Sequence, residues 1–146
     1  DAMIFPHPLR QVLEATYTIR RLFPDPMAEA KRYYDELGYY PIMHIMAFRN
    51  EVVEREPDLP RAVIAMWESA KRTAALYYED PGYSEIAFAR NAMEHQDKMF
   101  GGEIWPSGFA ANRDNIARFI EYSADQGLIS AAYEPERLFH ASVLDT

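Results

Sequence analysis

The feature that most constrains the fold is an uncharged run at residues 39–48, which has the sequence Tyr-Tyr-Pro-Ile-Met-His-Ile-Met-Ala-Phe. The run lies between Gly38, a residue type that commonly ends helices, and the polar pair Arg49-Asn50. A short and almost wholly apolar run is typical of a strand that is buried on both faces. The sequence therefore predicts a buried strand here, with His44 as its one polar residue.

A second apolar run, at residues 2–5, comes directly before two prolines and predicts a short strand followed by a loop. The rest of the chain is typical of helices, because apolar residues recur at spacings of three and four between cap and breaker residues. We predict helices at residues 26–37, 50–55, 58–79, 84–99, 111–126 and 135–140. Two separate strands cannot cover the apolar faces of so many helices, so we expect the chain to be a piece of a longer α/β protein.

Composition excludes several classes of function. The 146 residues include no cysteine, which rules out disulfides, thiolate nucleophiles and cysteine-bound metal clusters. A formal net charge of −8 argues against nucleic acid as a partner, because proteins that bind phosphate backbones usually present a basic surface. No apolar run reaches the roughly 18 residues that a membrane-spanning helix needs, so we predict no membrane span.

The candidate polar residues each allow two interpretations. His44 is either a core histidine that is hydrogen-bonded to the backbone or a group at the end of a strand that faces a ligand cleft. His7 and Arg10 lie in a proline-rich loop after a predicted strand, where α/β sheets bind ligands, and arginine suits a carboxylate. A purely structural loop is the alternative.

Other signals are weaker. The four histidines are scattered without the spacing of a metal site, and no nucleotide-binding or hydrolase motif is present. His95 is best interpreted as part of a solvated helix face. Trp105, with Pro106 and Phe109, predicts either an aromatic wall or a loop that inserts its tryptophan into the core.

Six blocks of the sequence, in order and at similar spacing, resemble the C-terminal half of the 4,5-dihydroxyphthalate decarboxylase family. The blocks are Asp-Ala-Met-Ile at 1–4, Arg-Arg-Leu-Phe-Pro-Asp at 20–25, Tyr-Tyr-Pro-Ile-Met-His at 39–44, Trp-Pro-Ser-Gly at 105–108 with Asn-Arg at 112–113, Glu-Tyr-Ser at 121–123 with Gln-Gly-Leu at 126–128, and 138–145. Ser107 departs from the tyrosine that is more usual after Trp-Pro, and residues 82–102 match poorly.

The resemblance implies an α/β fold, in which this chain is a helix-rich C-terminal portion of a two-lobed type II periplasmic-binding-protein-like structure. A ligand cleft would lie between the lobes. Residues 1–24 would end the second lobe, residues 25–38 would form a connecting helix, and residues 39–146 would form the C-terminal part of the first lobe.

The resemblance also implies an enzyme, a decarboxylase that acts on a hydroxylated aromatic dicarboxylate. On this basis His44 would be the catalytic proton donor, and His7, Arg10, Tyr40 and Trp105 would bind the small anionic aromatic substrate. We predict no cofactor, although the sequence leaves a divalent metal open. A cytoplasmic location is expected, and a homo-oligomer is compatible with the sequence.

Two other functions compete with the decarboxylase. A solute-binding protein of the same fold would bind a small carboxylate for transport or sensing without chemistry, and it would be periplasmic. An independent helical interaction module is the third alternative, which the two unpartnered strands disfavour.

Overall fold

A computed structural model describes Arg10, Glu14 and residues 20–146 of the chain. The helices are α1 (Pro26–Leu37), α2 (Asn50–Arg55), α3 (Leu59–Glu79), α4 (Ala89–Phe100) and α5 (Arg113–Asp125), with 3₁₀ turns at Pro81–Tyr83, Ala110–Asn112, Pro135–Leu138 and Ala141–Val143. Among these residues the structure is helix-rich and contains no strand. No helix in the described ranges is long and apolar enough to cross a membrane.

Local signals determine both ends of α1. The Asp25 side chain accepts hydrogen bonds of 3.0 Å from the backbone N–H groups of Met27 and Ala28, and proline occupies the first helical position. Gly38 has a φ of 76° and donates its N–H to the carbonyl of Tyr34 at 2.8 Å. A left-handed φ of this kind favours glycine, so the prediction of a helix over residues 26–37 is confirmed.

Helix α3 confirms the predicted long helix to within one residue, whereas α4 begins five residues later than predicted. The difference arises at Ser84, whose hydroxyl accepts a hydrogen bond of 3.1 Å from the N–H of Ile86. Serine hydroxyls that bond the backbone two residues ahead stabilise a turn at the expense of a helix. The prediction of a helix at residues 84–88 is therefore wrong.

The prediction of a buried strand at residues 39–48 is also wrong. The segment has no strand or helix geometry, and no backbone hydrogen bond joins residues 41–48 to another described part of the chain. Met43 is 79% exposed, and Ile45 and Met46 are exposed as well. A strand requires a neighbour that pairs with its N–H and C=O groups, and none of the described segments supplies one. The second predicted strand, at residues 2–5, lies outside the described residues.

The core forms on one side of α5. Phe109, Ile116 and Ile120 are buried together, and partly buried apolar side chains pack around them from Ile42, Ile129, Tyr133, Phe139 and Leu144. Arg113 at the start of α5 pairs with Glu136 at 2.6 Å and with Glu134 at 3.3 Å, which joins the helix to the 3₁₀ turn at Pro135–Leu138. These contacts fix α5 in place, so the side chains on its other face have defined positions.

Candidate functional site

Two predicted substrate-binding residues, Tyr40 and Trp105, meet in the folded chain. Their rings are in edge-to-face contact, with centroids 5.9 Å apart and planes at 83°. Tyr33 of α1 extends the arrangement, because its ring lies 6.2 Å from that of Tyr40 and 6.5 Å from that of Tyr39. We call Tyr33, Tyr39, Tyr40 and Trp105 the aromatic cluster.

Two helices hold the backbone of the aromatic cluster. The buried side-chain amide of Asn115 on α5 donates a hydrogen bond of 2.9 Å to the carbonyl of Tyr40. On the other side, the Lys71 ammonium of α3 donates a hydrogen bond of 3.0 Å to the carbonyl of Trp105. The positions of Tyr40 and Trp105 therefore depend on contacts between residues that are far apart in the sequence.

Lys71 is the centre of a polar network beside Trp105. Its ammonium lies 3.1 Å from carboxylate oxygens of both Glu68 and Glu103. Partial burial acts to lower the pKa of Lys71, but the two carboxylates outweigh that effect and the pKa is raised. A hydrogen bond from Ser107, followed by the contact with Lys71, lowers the pKa of Glu68. The Lys71 ammonium is therefore protonated, and the two neighbouring carboxylates cancel its positive charge.

An open cleft of about 790 Å³ lies between α3 and α4. Trp105, Tyr78 and Met93 contribute its apolar and aromatic lining, while its charged side chains include Lys71, Asp97 and Glu103. With two carboxylates against one ammonium, this lining disfavours an anionic ligand. The cleft is therefore a poor site for an aromatic dicarboxylate.

A more suitable cation, Arg118, contacts the aromatic cluster at Tyr39. The Arg118 Nε donates a hydrogen bond of 2.9 Å to the hydroxyl oxygen of Tyr39, 79 residues away in the sequence. Contacts with the hydroxyls of Tyr122 and then Tyr39 raise the pKa of Arg118. Sequence reasoning missed this residue. Its one local signal is the spacing of residues 115, 118 and 122, which places all three on one face of α5.

Of the three other predicted site residues, two have no recorded hydrogen bond, ion pair or ring contact with the aromatic cluster within the described ranges, and one lies outside those ranges. His44 is exposed, and the structure records no hydrogen bond to its ring within the described ranges. The Arg10 side chain is 87% exposed and pairs with Glu14 at 2.6 Å, and Arg10 itself has helical geometry rather than that of the loop that we predicted. His7 lies outside the described residues.

The remaining candidates have clear positions. Phe109 is buried in the core and does not contribute to an aromatic wall, whereas His95 lies on the exposed side of α4, as predicted. In the part of the chain that the structure describes, no three histidine, aspartate or glutamate side chains cluster as metal ligands would.

Comparison with known proteins finds a distant relative. No family model matches the chain. The chain is similar to the 4,5-dihydroxyphthalate decarboxylase of Comamonas testosteroni. The two sequences are 28% identical over 130 residues, which cover 88% of this chain but 39% of the decarboxylase. The chain therefore spans well under half the length of that relative, and the similarity supports a distant relationship.

Proposed function

We propose that the protein is a decarboxylase that removes one carboxylate from a hydroxylated aromatic dicarboxylate of the 4,5-dihydroxyphthalate type. The observation that carries the proposal is the similarity over 88% of the chain to an enzyme with that activity in its name. The contact between Tyr40 and Trp105 adds support, because clustered aromatic rings suit a flat aromatic substrate.

The proposal includes the two-lobed architecture that the family resemblance implies. In it, residues 1–24 end the second lobe, residues 25–38 connect the lobes, and residues 39–146 belong to the first lobe. One observation supports an architecture larger than this chain, because the relative is much longer than the matched region.

The chemistry requires a proton donor at the ring carbon that bears the departing carboxylate. A phenolic oxygen para to this carbon supplies electron density, the carbon accepts a proton, and the carbon–carbon bond then breaks to release CO₂ and restore the aromatic ring. Histidine is the side chain best suited to donate a proton near neutral pH, which supports His44 in this role. Tyr40 and Trp105 would contact the ring. Arg10 and His7 remain predicted ligands of a carboxylate, for which Arg10 would have to leave its ion pair with Glu14.

The decisive experiment incubates the purified full-length protein with 4,5-dihydroxyphthalate and measures released CO₂ together with the dihydroxybenzoate product. We expect turnover, and we expect His44→Ala to lower kcat by about 10²- to 10⁴-fold, the usual contribution of a general acid. His95→Ala, which changes an exposed histidine on α4, is the matched control and should leave kcat unchanged.

Two outcomes would contradict parts of the proposal. Normal turnover by the His44→Ala variant would remove His44 from the role of proton donor. Saturable binding of the dicarboxylate with no CO₂ release would make the protein a solute-binding protein and overturn the enzymatic assignment.

A further inference from the structure

Arg118 differs from the other cations of the described chain in what surrounds it. Its side chain is partly buried, and its Nε donates a hydrogen bond to the hydroxyl of Tyr39. Among the described residues, no carboxylate lies within 4.0 Å of the guanidinium. Phenol hydroxyls are neutral near pH 7, so they satisfy hydrogen bonds without cancelling the positive charge.

The hydrogen bonding leaves donors available to a ligand. A guanidinium has five N–H donors, and the hydroxyl of Tyr39 uses one of them. Because the Tyr39 oxygen accepts from Arg118, its own O–H proton is free to point at another acceptor. An arginine can bind both oxygens of a carboxylate through two parallel N–H donors. The neighbouring hydroxyl adds one more donor to the same carboxylate.

Apolar surface for a ring lies directly beside these donors. Tyr39 belongs to the aromatic cluster, and Tyr33 links it to Tyr40 through edge-to-face contacts. Burial and then the neighbouring Tyr39 raise the pKa of Tyr33, so its hydroxyl stays neutral and does not repel an anion. An aromatic acid could therefore place its ring against the cluster while its carboxylate reaches Arg118.

The geometry points to Arg118, with the hydroxyl of Tyr39, as a binding subsite for a carboxylate carried on an aromatic ring. The identity of the ligand rests on the proposed function, in which the carboxylate that stays on the ring needs an anchor. The subsite itself rests on the contacts of α5 with residues 39 and 40.

The test measures binding of phthalate by isothermal titration calorimetry to the full-length protein. Phthalate has two carboxylates but no phenolic hydroxyl, so it reports binding without decarboxylation by the proposed route. We expect Arg118→Gln to weaken binding about 10- to 100-fold, the usual effect of losing hydrogen bonds to a charged group. Arg118→Lys keeps the positive charge but loses the planar guanidinium that binds a carboxylate through two donors, so we expect an intermediate loss of phthalate affinity.

Two controls separate the subsite from general effects. Arg137→Gln removes an exposed arginine that lies over the Tyr133 ring at 5.9 Å, and this variant should bind phthalate normally. The uncharged analogue phthalamide should bind the wild-type protein much more weakly than phthalate.

Tyr39→Phe, which removes one hydroxyl and keeps the ring, should weaken phthalate binding several-fold without unfolding the protein.

The outcomes distinguish the subsite from the proposed function. Phthalate binding that depends on Arg118, without CO₂ release from the dihydroxy compound, would keep the subsite and reject the enzyme. Turnover with an unchanged KM in the Arg118→Gln variant would keep the enzyme and reject the subsite. Absence of phthalate binding, or equal binding by the Arg118→Gln and Arg118→Lys variants and the wild type, would also overturn the subsite.

Discussion

Replacement of Ile120 by alanine tests whether the small cluster on α5 is the core that supports the candidate site. Ile120 is 3% exposed and packs with Phe109 and Ile116. The change removes three carbon atoms, worth roughly 2.4 kcal/mol at about 0.8 kcal/mol each. The cavity left behind adds about 1 kcal/mol, so the free energy of unfolding should fall by about 3 to 4 kcal/mol.

The matched control is the neighbouring residue on the same helix. Phe119 is 69% exposed, and Phe119→Ala should change the free energy of unfolding by no more than about 0.5 kcal/mol, although it removes more atoms. Urea unfolding followed by far-UV circular dichroism measures both variants. Ile120→Ala should lower the midpoint by about 1 to 2 M with an unchanged slope. Similar losses in the two variants would refute the position assigned to the core.

Two further predictions concern helix ends and pH. Asp25→Ala should lower the free energy of unfolding, measured in urea, by about 1 kcal/mol. Asp58→Ala should lower it less, because the Asp58 side chain bonds no backbone N–H. Equal losses in the two variants would contradict this prediction. Ser107 and then Lys71 lower the pKa of Glu68, so this carboxylate stabilises the folded state above about pH 4.5, and the benefit disappears as pH falls through the lowered folded value. Urea midpoints should therefore be higher for wild type than for Glu68→Gln at pH 7 and should converge in acid, and a gap that persists in acid would contradict the linkage.

The elements that the sequence predicts well are those whose signals are local. Asp25, Pro26 and Gly38 satisfy or terminate the hydrogen bonds of α1 within a few residues, so the helix can be derived from the sequence. The strand prediction at residues 39–48 is wrong because the signal for a strand is not local. The apolar composition of the segment favours burial in a sheet, but a strand depends on a partner that composition alone does not supply.

The residues of the candidate site also differ in whether their signals are local. The sequence predicts Tyr40 and Trp105 as substrate-binding residues because both lie in distinctive blocks, and the structure brings their rings together. Their role in binding stays a prediction. Arg118 could not be predicted, because what distinguishes it is a hydrogen bond to a residue 79 positions away. In sequence it is one of two arginines on an amphipathic helix, where a solvated role is the ordinary expectation.

The negative charge of the chain makes the surroundings of each cation decisive. Within the described ranges, ion pairs engage Arg10, Lys31, Arg32, Arg61, Lys71, Arg90 and Arg113. A paired cation attracts a further anion weakly, because its partner carboxylate cancels much of its field. Arg118 instead bonds the neutral hydroxyl of Tyr39, which leaves its positive charge uncancelled. An acidic protein can bind a dicarboxylate where a cation remains locally uncancelled, and the surroundings of Arg118 meet that condition beside the aromatic cluster.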